Sequence, residues 1–184
     1  MIKHNTIKHN TQNTKNHPFW QIIRTIDNFP KPGIEFYDIT PLLQHHVTDV
    51  TDALLTCLPN GLFHDIDCLI GVESRGFLFA SLLSGRTGKG MTVARKAGKL
   101  PPPVVREDYA LEYGTDSLEI LKNTDPAIRK VLIVDDILAT GGTLKATAKL
   151  CQSAGYDVVG ALVLIDLVDL HKDLGLPVFS VLQA

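Results

Sequence analysis

Val131-Leu132-Ile133-Val134-Asp135-Asp136-Ile137-Leu138-Ala139-Thr140-Gly141-Gly142-Thr143 is the stretch from which the fold of this chain can be read. Its first four residues are aliphatic, three of them β-branched, and predict a buried strand. Asp135 and Asp136 follow where that strand is expected to end, then a Thr-Gly-Gly-Thr turn, then residues 144–150 at helical spacing. A glycine-rich turn at a helix N-terminus lets backbone N–H groups converge on a phosphate, and the helix dipole favours the anion. Paired carboxylates repel a phosphate but suit two neighbouring sugar hydroxyls, each able to donate a hydrogen bond. A ribose 5-phosphate presents both features. P-loop and dinucleotide fingerprints are absent from the sequence.

Working outward, strands alternate with helices. Residues 67–72 read as a second buried strand, followed by Glu73-Ser74-Arg75-Gly76 and a helix over 77–83. Residues 91–95 read as a third strand, 117–121 as another, and 156–165 and 178–182 as the last two. Apolar spacing predicts helices over 19–29 and 41–58, while the proline-rich stretch 96–114 reads as too irregular for the core. This alternation predicts an α/β, doubly wound, mainly parallel sheet flanked by helices, with ligands beyond the carboxyl ends of the strands. Residues 73–76, Arg95 with the loop after it, and residues 135–143 all follow strands, so one shared site is expected.

At 184 residues the chain fits one domain. Residues 1–17, with the repeated Ile-Lys-His-Asn-Thr, are too polar to bury a core and are expected to form a disordered tail before a single domain over 18–184. Net charge is −2, so nothing global draws the protein to nucleic acid or membrane, and any anion site must be local. Cys57, Cys68 and Cys151 are odd in number and follow no metal spacing, as expected of reduced thiols in a cytoplasmic protein. No stretch reads as a signal peptide or a membrane span.

The run from Val131 to Thr143 resembles the phosphoribosyl pyrophosphate (PRPP) signature of the type I phosphoribosyltransferases. Its Ala-Thr-Gly-Gly-Thr ending resembles that of the adenine-specific branch. The resemblance spans about Phe29 to Leu182. It implies the family fold, with a flexible loop and a small base-binding hood, and conversion of adenine and PRPP to AMP and pyrophosphate in purine salvage. It also implies Mg²⁺ held mainly through PRPP rather than by a protein cage, and a homodimer. Asp135 and Asp136 are implied to hold the ribose side, and Ala139, Thr140, Gly141, Gly142 and Thr143 the 5-phosphate. Glu73, Ser74 and Arg75 resemble the pyrophosphate loop, in which a cis Glu73–Ser74 peptide is expected. A glycine beside Arg75 would let backbone and guanidinium approach one anion together. Arg95, Lys96 and Lys99 form a cationic cluster suited to a leaving pyrophosphate.

Leu111-Glu112-Tyr113-Gly114 resembles the loop that closes over the substrates. Closure excludes water from an oxocarbenium-like ribose. Glu112 is a candidate to take the base's proton and Tyr113 to hydrogen-bond near the leaving group, with Arg75 third in the catalytic set. Residues 29–43 resemble the hood. Phe36 offers a ring to a purine with Ile137 opposite, and backbone near Glu35 and Tyr37 can read the base edge. The family usually carries Arg where this chain has Tyr37. Two other readings stay open: an enzyme for another base such as hypoxanthine or xanthine, and a PRPP-sensing regulator without catalysis.

Overall fold

The computed structural model describes residues 16–111 and 114–184. Among these, strands β3 (Cys68–Val72), β4 (Gly90–Lys96), β5 (Val104–Leu111), β6 (Gly114–Leu121), β7 (Lys130–Leu138), β8 (Asp157–Asp166) and β9 (Val178–Gln183) form one sheet in the order β5-β6-β4-β3-β7-β8-β9. The run β4-β3-β7-β8-β9 is parallel, and β6 and β5 join it antiparallel. A separate antiparallel ribbon pairs β1 (Arg24–Asp27) with β2 (Glu35–Asp38).

Period-two alternation divides the interior strands between two cores. Leu69, Leu132, Val134, Leu162 and Leu164 face α1 (Thr40–His45), α2 (Val47–Thr56) and α4 (Gly76–Thr87). Ile70, Ile133, Ala161 and Val163 share the other core with Leu144, Leu150 and Cys151 of α5 (Gly142–Ser153). A short helix, α3 (Leu62–Asp65), leads into β3. Helices thus cover both faces, as the alternation predicts.

Four local expectations are corrected. The strand expected to stop at Val134 runs to Leu138, because its ladder with β8 continues through Asp135↔Val163 and Ile137↔Ile165. The helix expected over 19–29 is a 3₁₀ turn, Pro18–Gln21, followed by β1, where pairing with β2 overrides the apolar spacing. The helix expected over 41–58 is broken at His46 (φ −132°, ψ 28°) into α1 and α2. The stretch expected to be irregular over 96–114 contains β5, an edge strand whose mixed polar sequence hides its period.

Candidate active site

Strands β3, β4 and β7 are parallel, so their carboxyl ends open on one side of the sheet. A cleft of about 290 Å³ lies there, lined by residues 73–75 and 135–144. The expected ribose, 5-phosphate and pyrophosphate elements are therefore brought together, with Ile137 among them.

Gly76 sets the distance between the first two elements. A Cβ on it would lie 2.5 Å from the Val134 carbonyl oxygen and 3.1 Å from an Asp135 carboxylate oxygen. The N-terminus of α4 can press against β7 only because that position is glycine. Close helix–strand packing is thus the physical reason for this glycine, beyond the freedom expected of it beside an anion. The Glu73–Ser74 peptide is cis, as expected.

Asp135 and Asp136 are buried side by side, at 9% and 6% exposure. The Asp136 N–H donates to Asp135 Oδ1 at 2.9 Å, and Arg75 Nη2 meets Asp136 Oδ2 at 2.7 Å. Burial first, and the neighbouring Asp136 carboxylate second, hold the Asp135 carboxyl well above its ordinary range. Burial also raises Asp136, against the opposing pull of the Arg75 guanidinium. One guanidinium, that of Arg75, thus faces two carboxyl groups, whose remaining oxygens can accept from hydroxyl donors.

Gly141 caps α5 in the left-handed region (φ 81°) and makes no side-chain cap hydrogen bond. The N–H groups of the first turn are left for an anion. Leu174, from the segment after β8, closes over this turn: a Cβ on Gly141 would lie 2.4 Å from Leu174 Cδ2.

The cationic cluster lies beside the cleft and is shared out among acids. Glu73 Oε2 accepts the Lys96 N–H at 2.7 Å and pairs with Arg95 Nε at 3.4 Å. The Lys96 ammonium pairs with Asp116 at 3.2 Å. Lys99 is exposed, and no partner of its ammonium occurs among the described residues. Its backbone N–H is held by Glu119, a buried acid the motif reading missed. A lone Glu between Leu118 and Ile120 was the available signal. The N–H of Gly98 foremost, with those of Leu100 and Lys99, holds the Glu119 carboxyl below its ordinary range against burial.

The hood residues stand at the cleft's margin rather than in its lining. Phe36 stacks edge-on with Phe29 at 5.1 Å between centroids, and the Arg75 guanidinium lies over its ring at 5.1 Å. Tyr37 donates to Glu35, and burial, then that carboxylate, pushes its phenol up to about 12. Asp38, also missed, ties the ribbon down. It accepts from the Thr40 N–H at 2.9 Å and from Arg24 Nε at 2.8 Å, and these donors, Thr40 first, hold its carboxyl at about 2. An Asp two residues before Thr-Pro at a helix entry was the signal. Glu112 and Tyr113 lie outside the described residues.

Among the described residues no helix is long and apolar enough to cross a membrane. A family model described as the phosphoribosyl transferase domain matches residues 43–174. The adenine phosphoribosyltransferase of Hydrogenovibrio crunogenus is 45% identical over 171 residues, covering 92% of this chain and 98% of that one. The solved structure of the enzyme of that name from Thermoanaerobacter pseudethanolicus matches with a TM-score of 0.81 at 40% identity, covering 90% and 97% of the two chains. That from Saccharomyces cerevisiae, complexed with an imino-altritol bisphosphate and adenine, matches with a TM-score of 0.81 at 36% identity, covering 89% and 96%. The chain belongs to the phosphoribosyltransferase family and, within it, to the adenine phosphoribosyltransferases.

Proposed function

We propose that this chain transfers the 5-phosphoribosyl group of PRPP to adenine, giving AMP and pyrophosphate in purine salvage. The observation that carries this is the single cleft in which residues 73–75 and 135–144 meet at the carboxyl ends of β3 and β7. The relatives named adenine phosphoribosyltransferase support the choice of base.

In this reading Asp135 and Asp136 accept hydrogen bonds from the ribose hydroxyls, and the turn over 139–143 holds the 5-phosphate at the α5 N-terminus. Ser74, Arg75, Arg95, Lys96 and Lys99 receive pyrophosphate, whose charge grows as the glycosidic bond breaks. Drawn to pyrophosphate, the Arg75 guanidinium leaves the Phe36 ring to the purine, with Ile137 on the other side. Among the described residues strand β2 has a partner on one side only, so backbone groups on its open edge near Glu35 and Tyr37 can read the base. Glu112 takes the proton that adenine loses, and Tyr113 hydrogen-bonds the leaving group.

Among the described residues no three potential ligands gather as a metal cage. Two adjacent carboxylates facing a polyphosphate nonetheless fit Mg²⁺, which commonly binds one or two carboxylates together with substrate oxygens. When bound, the ion neutralises pyrophosphate charge. Residues 18–184 act as one domain, forming a homodimer in the cytoplasm.

The test is pyrophosphate release with PRPP and a panel of bases. Adenine N1 accepts a hydrogen bond and its amine donates one, whereas hypoxanthine reverses both. Fixed backbone groups cannot swap roles, so adenine should lead in kcat/KM by roughly 10⁴. Comparable values for the two bases would move the assignment to another purine, and no turnover with any base would leave a PRPP sensor.

A further inference from the structure

We propose that Glu119 is a positioning residue for pyrophosphate: it shapes the turn over residues 97–100 so that Lys99 is presented to the ligand with its ammonium unpaired. The proposal rests on the reading of Lys99 as a pyrophosphate cation.

Glu119 stands in β6 directly across the ladder from Arg95 in β4 and from Arg106 in β5. Its side chain is 2% exposed. A strand interior disfavours glutamate, and a carboxylate in such a place needs donors to offset its lost hydration. The donors come from the turn. The Lys99 N–H reaches Glu119 Oε1 at 2.6 Å and the Leu100 N–H reaches the same oxygen at 2.7 Å. Arg106 Nη2 lies 3.8 Å from Oε2.

Successive backbone N–H groups that converge in this way form a concavity for an anion. Here the chain's own carboxylate occupies it. Gly98 supplies the backbone reversal, at φ 84°, and the Ala97 N–H donates to the Ser117 carbonyl at 3.0 Å. The turn is therefore pinned to β6 from both ends.

The surrounding cations are divided unevenly. Arg95 is committed to Glu73, Lys96 to Asp116 and Arg106 to Glu119 itself. Glu119 engages the backbone of Lys99 and leaves its ammonium alone. One acid thus fixes where Lys99 begins without neutralising it. A carboxylate that merely balanced charge would pair with the ammonium.

Kinetics with PRPP varied, together with thermal melts, on Glu119→Gln, Lys99→Ala, the double variant and Gly98→Ala test this. Glutamine keeps an oxygen acceptor but removes the charge that the N–H groups converge on. Lys99→Ala should raise the KM for PRPP about tenfold with kcat changed less than about threefold, as expected when binding common to ground and transition states is lost. Glu119→Gln should raise KM to a similar extent. The double variant should be no worse than about twofold beyond the weaker-binding single, because both changes remove the same contact. Gly98→Ala strains the turn at a left-handed position while leaving the Glu119 carboxylate in the chain, and should shift KM in the same direction. It decides the matter if Glu119→Gln does not fold.

A Glu119→Gln protein with a lowered Tm but unchanged KM for PRPP would make the residue purely structural. Multiplying effects in the double variant, or an unshifted KM in Gly98→Ala, would equally overturn the proposal. An unchanged KM in Lys99→Ala would remove the pyrophosphate assignment beneath it, an outcome distinct from Glu119 failing alone.

Discussion

Asp135 and Asp136 stand on an interior strand with neighbours on both sides, whereas Phe36 and Tyr37 stand on a two-stranded ribbon outside the main sheet. The first pair is buried; every residue of β1 is exposed, and in β2 only Asp38 is buried. The side proposed for ribose and phosphate comes from one contiguous stretch, residues 135–144, packed into the sheet. The side proposed for the base is held by the Asp38 hydrogen bonds and by Arg75, which touches both Asp136 and Phe36. An invariant demand, such as a phosphate and two hydroxyls, can be met by rigid core structure. A strand that is to read a base edge with its backbone needs an open side, and such a strand cannot also lie in the middle of a sheet.

The sharpest way to break this contrast is at the acidic pair. Asp136→Asn or Asp135→Asn removes a charged acceptor for a ribose hydroxyl, worth about 1.5–3 kcal/mol, or roughly 10- to 150-fold in kcat/KM for PRPP. Stability should move the other way for Asp135→Asn. In the folded protein Asp135 keeps its proton to higher pH than in the unfolded chain, whose value is near 3.8. The folded state then binds more protons, so this group's contribution is complete below that pH and is lost as pH rises through the raised folded value. Melts from pH 4 to pH 8 should show Asp135→Asn gaining on wild type as pH rises. A gap constant with pH would show that the carboxyl ionises normally in the fold.

Gly76→Ala tests the rigidity of the core side. The added Cβ must push α4 away from the Val134 carbonyl, an overpacking that costs about 1–3 kcal/mol. For a chain of this size that lowers Tm by roughly 2–4 °C per kcal/mol. The KM for PRPP should rise with it, because the two loops of the cleft separate. A normal melt with normal kinetics would mean the packing yields easily.

On the base side the expected effects are smaller. Tyr37→Arg breaks the hydrogen bond to Glu35 but leaves the backbone in place. The KM for adenine should change by less than about fivefold, since an exposed hydrogen bond contributes roughly 1 kcal/mol at most. The preference for adenine over hypoxanthine should persist; its reversal would show that the side chain reads the base. Smallest of all, removal of residues 1–16 should leave kcat, KM and Tm unchanged, because that stretch has little apolar content to contribute. A fall of several degrees on truncation would show a docking role for it.

The same contrast governs how much could be read in advance. Residues 131–143 could be interpreted because strand, acids, turn and helix are consecutive and each has a local physical signal. Even there β7 runs four residues past the expected end at Val134, since two carboxylates suggest a surface and their satisfaction by Arg75 and backbone is a tertiary fact. Ile22, Ile23 and Ile26 fit a helical period, while the strand that captures Arg24–Asp27 lies beyond the intervening loop over 28–34. Glu119 and Asp38 escaped notice for the same reason: the turn and ribbon they organise are distant in sequence from any motif.

The place of β5 at the end of the sheet has a consequence beyond catalysis. Among the described residues one side of that strand has no neighbouring strand, and an open row of N–H and C=O groups is a template on which another chain can add. The middle of β5 reads Arg106-Glu107-Asp108, and these side chains are engaged with Glu119, Lys149 and Ser117. A foreign strand docking there would meet charges already fixed in place and would have to strip them of water. The side chains that hold this hairpin together, and through Glu107 tie it to α5, therefore also guard that edge against strand addition, and the price of neutralising them would be paid in solubility before it was paid in turnover.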